Sequence, residues 1–97
     1  MAERARADLV PVGPVLEASD AGRAVVAAIR ELNQEVVVDD RGAYLRVSAP
    51  GRCIVTREAI ERAIGRAFRL PADLEPLMPA FKGVLTMDED RAVWSLS

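Results

Sequence analysis

The pattern most typical of a helix lies between Ser19 and Asn33. Apolar residues recur there at intervals of three and four, which places them on one face of an α-helix. They are Ala21, Ala24, Val25, Ala28, Ile29 and Leu32. Ser19 or Asp20 supplies the side-chain acceptor that caps the first turn. The pattern therefore predicts an amphipathic helix that runs to about Asn33.

Strand patterns flank this helix. Residues 9–16 are apolar but contain Pro11 and Pro14, and because proline lacks an amide donor they predict an edge strand or extended arm. Three further short strands are predicted at residues 35–39, 43–48 and 53–55. Turn-forming residues separate them, with Gly42 and Gly51 placed to adopt positive φ. These connections favour an antiparallel meander.

The second half of the chain predicts two more helical segments and a hairpin. Thr56 caps a helix from Arg57 to about Ile64, which Gly65 ends in a left-handed conformation. Residues 71–77 form a short helical turn that begins and ends near prolines. Residues 81–87 and 92–96 then alternate as two strands around an acidic turn.

Together these elements predict a single compact α+β domain with antiparallel sheets, two main helices and a short third. The predicted order is β-α-β-β-β-α-α-β-β. Residues 1–8 contain nothing apolar and periodic, so we expect a disordered N-terminal tail before a domain over residues 9–97. No apolar core of a signal peptide follows the charged N-terminus, and no apolar run is long enough to cross a membrane, so a cytoplasmic protein is expected.

Composition argues against several classes of function. The sequence has no histidine and one cysteine, so histidine-based catalysis, imidazole metal sites, intrachain disulfides and cysteine-ligated clusters have no residues to build them. Thirteen basic residues against fifteen acidic ones give a net charge of −2, which argues against nucleic-acid binding. No phosphate-binding glycine loop or calcium loop occurs. These absences favour a binding module over an enzyme, and we predict no catalytic, cofactor-binding or metal-binding residues. The alternative is a Mg²⁺ or Ca²⁺ site built from carboxylates alone.

The remaining candidates for chemistry have simpler structural explanations. Asp39–Asp40 and Asp88–Asp90 are the only acidic clusters, and each falls where a solvated turn is predicted. Cys53 lies in a predicted strand with no histidine to activate it, so core packing is favoured. Tyr44 alternates with the apolar positions of its strand and either packs between sheet and helix or lies at a partner surface.

The segment Met78–Gly83 is the best candidate for contact with another protein. It comprises Met78, Pro79, Ala80, Phe81, Lys82 and Gly83. Methionine and aromatic residues are enriched at protein interfaces, and the segment is predicted to be a loop entering a strand. The alternative is that Met78 and Phe81 close the end of the sheet, and composition alone favours that alternative.

Three stretches resemble a known family: Val12–Val15, Val38–Val47 and Gly65–Phe68 are similar to the effector, or coupling, proteins of soluble diiron multicomponent monooxygenases. That family includes the regulatory components of methane monooxygenase, phenol hydroxylase, and toluene and alkene monooxygenases. The resemblance extends from about residue 12 to residue 96 and is strongest to the toluene/alkene group.

The resemblance implies a protein without catalytic residues or cofactor that binds the diiron hydroxylase. It would tune the active site and substrate access of the hydroxylase, and couple electron transfer to O2 activation in hydrocarbon oxidation. A Rieske ferredoxin and an NADH-dependent flavin reductase would complete the system. Met78–Gly83 is similar in position to the family's hydroxylase-binding loop. The alternative is a regulatory α+β domain that binds a small molecule.

Overall fold

The structure, a computed structural model, describes residues 9–96 and contains seven strands and two α-helices in that range. The strands are β1 (Pro11–Glu17), β2 (Val37–Asp40), β3 (Tyr44–Pro50), β4 (Arg52–Thr56), β5 (Ala80–Lys82), β6 (Val84–Met87) and β7 (Arg91–Ser95). The α-helices are α1 (Asp20–Leu32) and α2 (Arg57–Ile64), and Glu75–Leu77 forms a short 3-10 helix. The predicted N-terminal tail lies outside the described residues.

The strands form two antiparallel sheets that enclose one core. The first sheet has the order β2-β3-β1-β5 and the second the order β4-β7-β6. The core contains Val25 and Ile29 from α1, Ile60 from α2, and the fully buried Trp94 from β7. Because helices and antiparallel sheets share one core, the predicted α+β class is confirmed.

Both helices begin and end as the sequence predicts. The Ser19 hydroxyl accepts a hydrogen bond from the Gly22 amide at 3.1 Å, and the Thr56 hydroxyl accepts one from the Ala59 amide at 3.1 Å. Gly65 ends α2 with φ of +78°. These caps satisfy donors that have no partner inside a helix, which is why short local patterns sufficed to predict them.

The prediction of an edge position for β1 is wrong. β1 lies between β3 and β5, inside the first sheet. Its pairing with β3 is interrupted between Val12↔Ala49 and Val15↔Arg46, where two residues of β1 have no ladder partner on β3. Pro14 falls in this interruption, so its missing amide costs no hydrogen bond to β3. Proline is therefore tolerated in an interior strand here.

The predicted three-stranded meander is also wrong in its last strand. β2 and β3 pair as predicted, but β4 belongs to the second sheet, where it pairs with β7. Gly51 is the single residue between β3 and β4, and its φ of +74° redirects the chain. The Gly51 amide donates to the Val10 carbonyl at 2.9 Å, which holds this corner against the start of β1.

The structure has two strands, β5 and β6, where one strand was predicted at residues 81–87. The predicted element order therefore contains one strand too few. β5 pairs with β1 in the first sheet, and β6 pairs with β7 in the second. Gly83 separates them with φ of +104°. A Cβ atom there would lie 2.6 Å from the Ser95 carbonyl oxygen, so only glycine fits where the chain crosses between the sheets.

Candidate docking surface

The segment Met78–Gly83 leads from the 3-10 helix into the free edge of the first sheet. Met78 ends that helix, and Ala80–Lys82 form β5, the terminal strand. β5 pairs with β1 through Gly13↔Lys82, Pro14↔Phe81 and Val15↔Ala80. The segment is therefore half loop and half edge strand, held in place by β1.

The two large apolar residues of the segment, Met78 and Phe81, differ in solvent exposure. Phe81 is 46% exposed, and its neighbours Ala80 and Lys82 are exposed as well. Met78 is half-buried and packs against the core beside Leu77. Met78 therefore helps to close the end of the core, whereas Phe81 presents its ring at the surface.

A groove adjoins this segment on the face of the first sheet that points away from the core. Its volume is about 320 Å³. The groove is lined by Pro11, Gly13, Pro14, Val15, Arg46, Val47, Ser48 and Lys82. Its floor is mostly apolar, and its charged groups are two cations. β1 forms the floor, and β3 and β5 carry those cations on either side.

The groove was not predicted from the sequence, although the alternation of residues along β3 indicated part of it. Alternation along β3 placed Tyr44, Arg46 and Ser48 on the face opposite Leu45 and Val47, and that assignment is correct. Tyr44 is 44% exposed on this outer face, so it does not pack between sheet and helix. What the sequence lacked was the placement of β1 between β3 and β5.

Both acidic clusters stabilise turns. Asp40 Oδ1 accepts a hydrogen bond from the Gly42 amide at 2.8 Å, and Asp39 pairs with Arg41 at 2.9 Å. Asp88 Oδ1 accepts hydrogen bonds from the amides of Asp90 and Arg91, which lower the pKa of Asp88 because they favour its charged form. Within residues 9–96, no group of three acidic or cysteine side chains is placed to hold a metal ion.

Cys53 is fully buried on β4, opposite Trp94 of β7. Burial raises the pKa of its thiol to about 12, which suppresses the reactive thiolate. Cys53 is therefore a core residue, as predicted. Neither helix of the described chain is long and apolar enough to span a membrane.

Comparison with known proteins assigns the family. The profile of the MmoB/DmpM family matches residues 10–95. The effector subunit of the alkene monooxygenase system of Xanthobacter autotrophicus is 40% identical over 85 residues, which cover 86% of this chain and 83% of that protein. The chain belongs to the MmoB/DmpM family, and the resemblance found in the sequence is confirmed.

Solved structures agree on the fold. A chain in a structure of a phenol hydroxylase–regulatory protein complex superposes with a TM-score of 0.79 at 22% identity, covering 89% of this chain and 98% of that chain. A second structure of such a complex gives a TM-score of 0.74, also at 22% identity. The two-sheet arrangement is therefore shared despite low sequence identity.

Proposed function

We propose that this chain is the effector component of a multicomponent monooxygenase and that it binds the diiron hydroxylase of that system. The observation that carries the proposal is the 40% identity to an alkene monooxygenase effector subunit along most of both chains. The role proposed for the protein is non-catalytic, as the name of that relative, an effector subunit, indicates.

Met78–Gly83 forms part of the surface that meets the hydroxylase. Support comes from the exposed Phe81 ring, from the cation of Lys82, and from the pairing of β5 with β1, which fixes the backbone of the strand that carries them. An edge strand held on one side changes little on binding, so few residues lose conformational freedom when the partner docks. Met78 supports this surface from below, because it packs against the core.

Binding is the means by which a protein without catalytic groups alters an active site. A bound effector shifts the hydroxylase toward the conformation that the effector binds more tightly. The free energy of this shift cannot exceed the difference between the binding free energies of the effector for the two conformations. In this way docking would tune the diiron site and substrate access, and would couple electron transfer to O2 activation. A Rieske ferredoxin and an NADH-dependent flavin reductase would deliver the electrons in the cytoplasm.

Turnover of the purified system tests the proposal. Hydroxylase, ferredoxin and reductase are assayed for product formed and NADH consumed, with and without this chain. We expect the chain to raise both the rate and the ratio of product to NADH. Bovine serum albumin at the same concentration controls for nonspecific protein effects. Equal rates and ratios with both proteins would refute the effector assignment.

A further inference from the structure

The groove beside β5 carries two cations that the described chain leaves without ion-pair partners. Arg46 on β3 and Lys82 on β5 line it from opposite sides, and neither forms an ion pair within residues 9–96. Asp39 is the register partner of Arg46, but its carboxylate is bound by Arg41 at 2.9 Å. Two unpaired cations on a protein of net charge −2 mark a local positive site.

The strand register shows that both cations reach one point. Lys82 pairs with Gly13, and Arg46 pairs with Val15, so both side chains project from the same face of the sheet. Two strand spacings across and two residues along place their Cα atoms roughly 12 Å apart. Extended lysine and arginine side chains span about half that distance each. A single anionic group above β1 can therefore contact both.

The floor of the groove between Arg46 and Lys82 can pack against an apolar group attached to the anion that the two cations contact. Pro11 and the half-buried Val15, both on β1, give this floor its apolar surface. The Ser48 hydroxyl also lines the groove and makes no hydrogen bond within the part of the chain that the structure describes. The groove thus offers two cations and a free hydroxyl donor over an apolar surface.

We propose that this groove receives an acidic side chain of the hydroxylase, whose carboxylate lies between Arg46 and Lys82. The inference rests on the proposed function and names the chemistry of the partner at this site. A protein segment fits better than a small molecule because small ligands are usually enclosed over most of their surface, whereas this groove is only half enclosed. It also shares Lys82 with the edge strand β5, so a partner that covers this edge reaches the groove.

Lys82 allows a direct chemical test because it is the only lysine in the sequence. A carbodiimide activates a carboxylate, and an amine in contact with it displaces the activating group to form an amide. We expect the effector–hydroxylase complex to yield an adduct in which Lys82 is joined to an aspartate or glutamate of the hydroxylase, identified by peptide mass spectrometry. Lys82→Gln should abolish it. A wild-type complex linked only through other groups would overturn the inference.

Arg46 lies outside Met78–Gly83 and therefore tests the groove independently. Arg46→Glu should weaken hydroxylase binding about tenfold at low salt, and the loss should shrink as salt increases. The matched control is Arg23→Glu. Arg23 is exposed on α1, and the buried face of that helix packs in the core, on the side of the sheet opposite the groove. Equal effects of the two substitutions would overturn the inference.

The same measurements separate this inference from the proposed function. If the wild-type chain does not bind the hydroxylase, the proposed function fails. If it binds, and Phe81→Ala weakens binding while Arg46→Glu does not, only the groove assignment fails. Benzoate serves as a probe for a small-molecule site. Saturable benzoate binding to the free effector that Arg46→Glu abolishes would show a ligand pocket and overturn the assignment to a hydroxylase side chain.

Discussion

At the scale of single residues, Gly42 is the clearest case of a backbone requirement. Its φ is +81°, and a Cβ atom added there would meet nothing within 4 Å. Gly42→Val therefore introduces backbone strain without a steric clash and should cost about 1 kcal/mol or more. That corresponds to a melting temperature lower by about 4–8 °C for a domain of this size. Arg41→Ala in the same turn is the control, and an unchanged melting temperature for Gly42→Val would contradict the assigned strain.

Cys53 provides a second prediction at this scale. Because burial raises the pKa of its thiol to about 12, little thiolate exists at pH 8. An aromatic disulfide reagent should label Cys53 on the order of 10³-fold more slowly in the folded protein than in guanidinium chloride. The smaller fraction of thiolate in the folded protein alone accounts for this difference. Stopped-flow absorbance measures both rates. Rapid labelling of the folded protein would show that the thiol is accessible.

The glycines illustrate what a single sequence predicts at residue scale. Gly42, Gly51 and Gly65 were predicted from neighbouring turn and cap residues, and all three have positive φ. Gly13 and Gly83 were not. A Cβ at Gly13 would clash with the Val47 carbonyl, and one at Gly83 with the Ser95 carbonyl. Those requirements arise between strands distant in sequence, and no local pattern contains them.

At the scale of elements, Asn33 joins the end of α1 to β4. Its side-chain amide donates to the Ile29 carbonyl at 2.8 Å and to the Ile54 carbonyl at 2.7 Å, and its Oδ1 accepts from the Ile54 amide at 3.0 Å. The sequence indicated only that the helix ends near Asn33. The partner strand was not predictable, because Ile54 lies 21 residues further along the chain.

Asn33→Ala should therefore destabilise the protein more than the loss of an ordinary cap. Removing three hydrogen bonds leaves part-buried groups of Ile54 without partners, and we expect a cost of about 2 kcal/mol. Urea denaturation measures the free energy of unfolding. Gln34→Ala, at the next and exposed position, is the control. If the two variants unfold at the same urea concentration, Asn33 does not hold α1 to β4.

Elements formed by local patterns were predicted well, and their pairing was not. Both helices and the β2–β3 hairpin follow from caps, spacing and turn residues. The assignment of β4 and β6 to a second sheet depends on single glycines that redirect the chain, and on side chains that meet only in the core. That Met78–Gly83 is the docking segment stays a prediction, and the pairing of its β5 strand with β1 came only from the structure.

At the scale of the whole molecule, the two faces of the first sheet differ: one packs in the core, and the other carries the proposed binding surface. The inner face of the first sheet contributes Leu45 and Val47 to the core, while its outer face and free edge carry the groove and Phe81. Packing against the core fixes the strands, so the outer face keeps its shape before a partner arrives. Such a preformed surface suits the proposed function, in which the chain acts on the hydroxylase by binding.

The last prediction concerns that surface. Phe81→Ala should weaken binding to the hydroxylase about 30-fold, since a buried anchor at an interface centre contributes roughly 2 kcal/mol. Because Phe81 is 46% exposed in the free protein, the melting temperature should change little. Leu32→Ala, which truncates an exposed leucine at the end of α1, is the control and should bind normally. Lys82→Glu should slow association mainly at low salt.

Titration of hydroxylase turnover against effector concentration measures these affinities under working conditions. Phe81→Ala should reach the wild-type rate only at higher concentration, because a lost contact raises the concentration needed for half-activation. Thermal unfolding of the same samples separates binding from stability. If Phe81→Ala instead melts at a much lower temperature yet activates the hydroxylase normally while folded, Phe81 is a residue of the fold and the hydroxylase binds elsewhere.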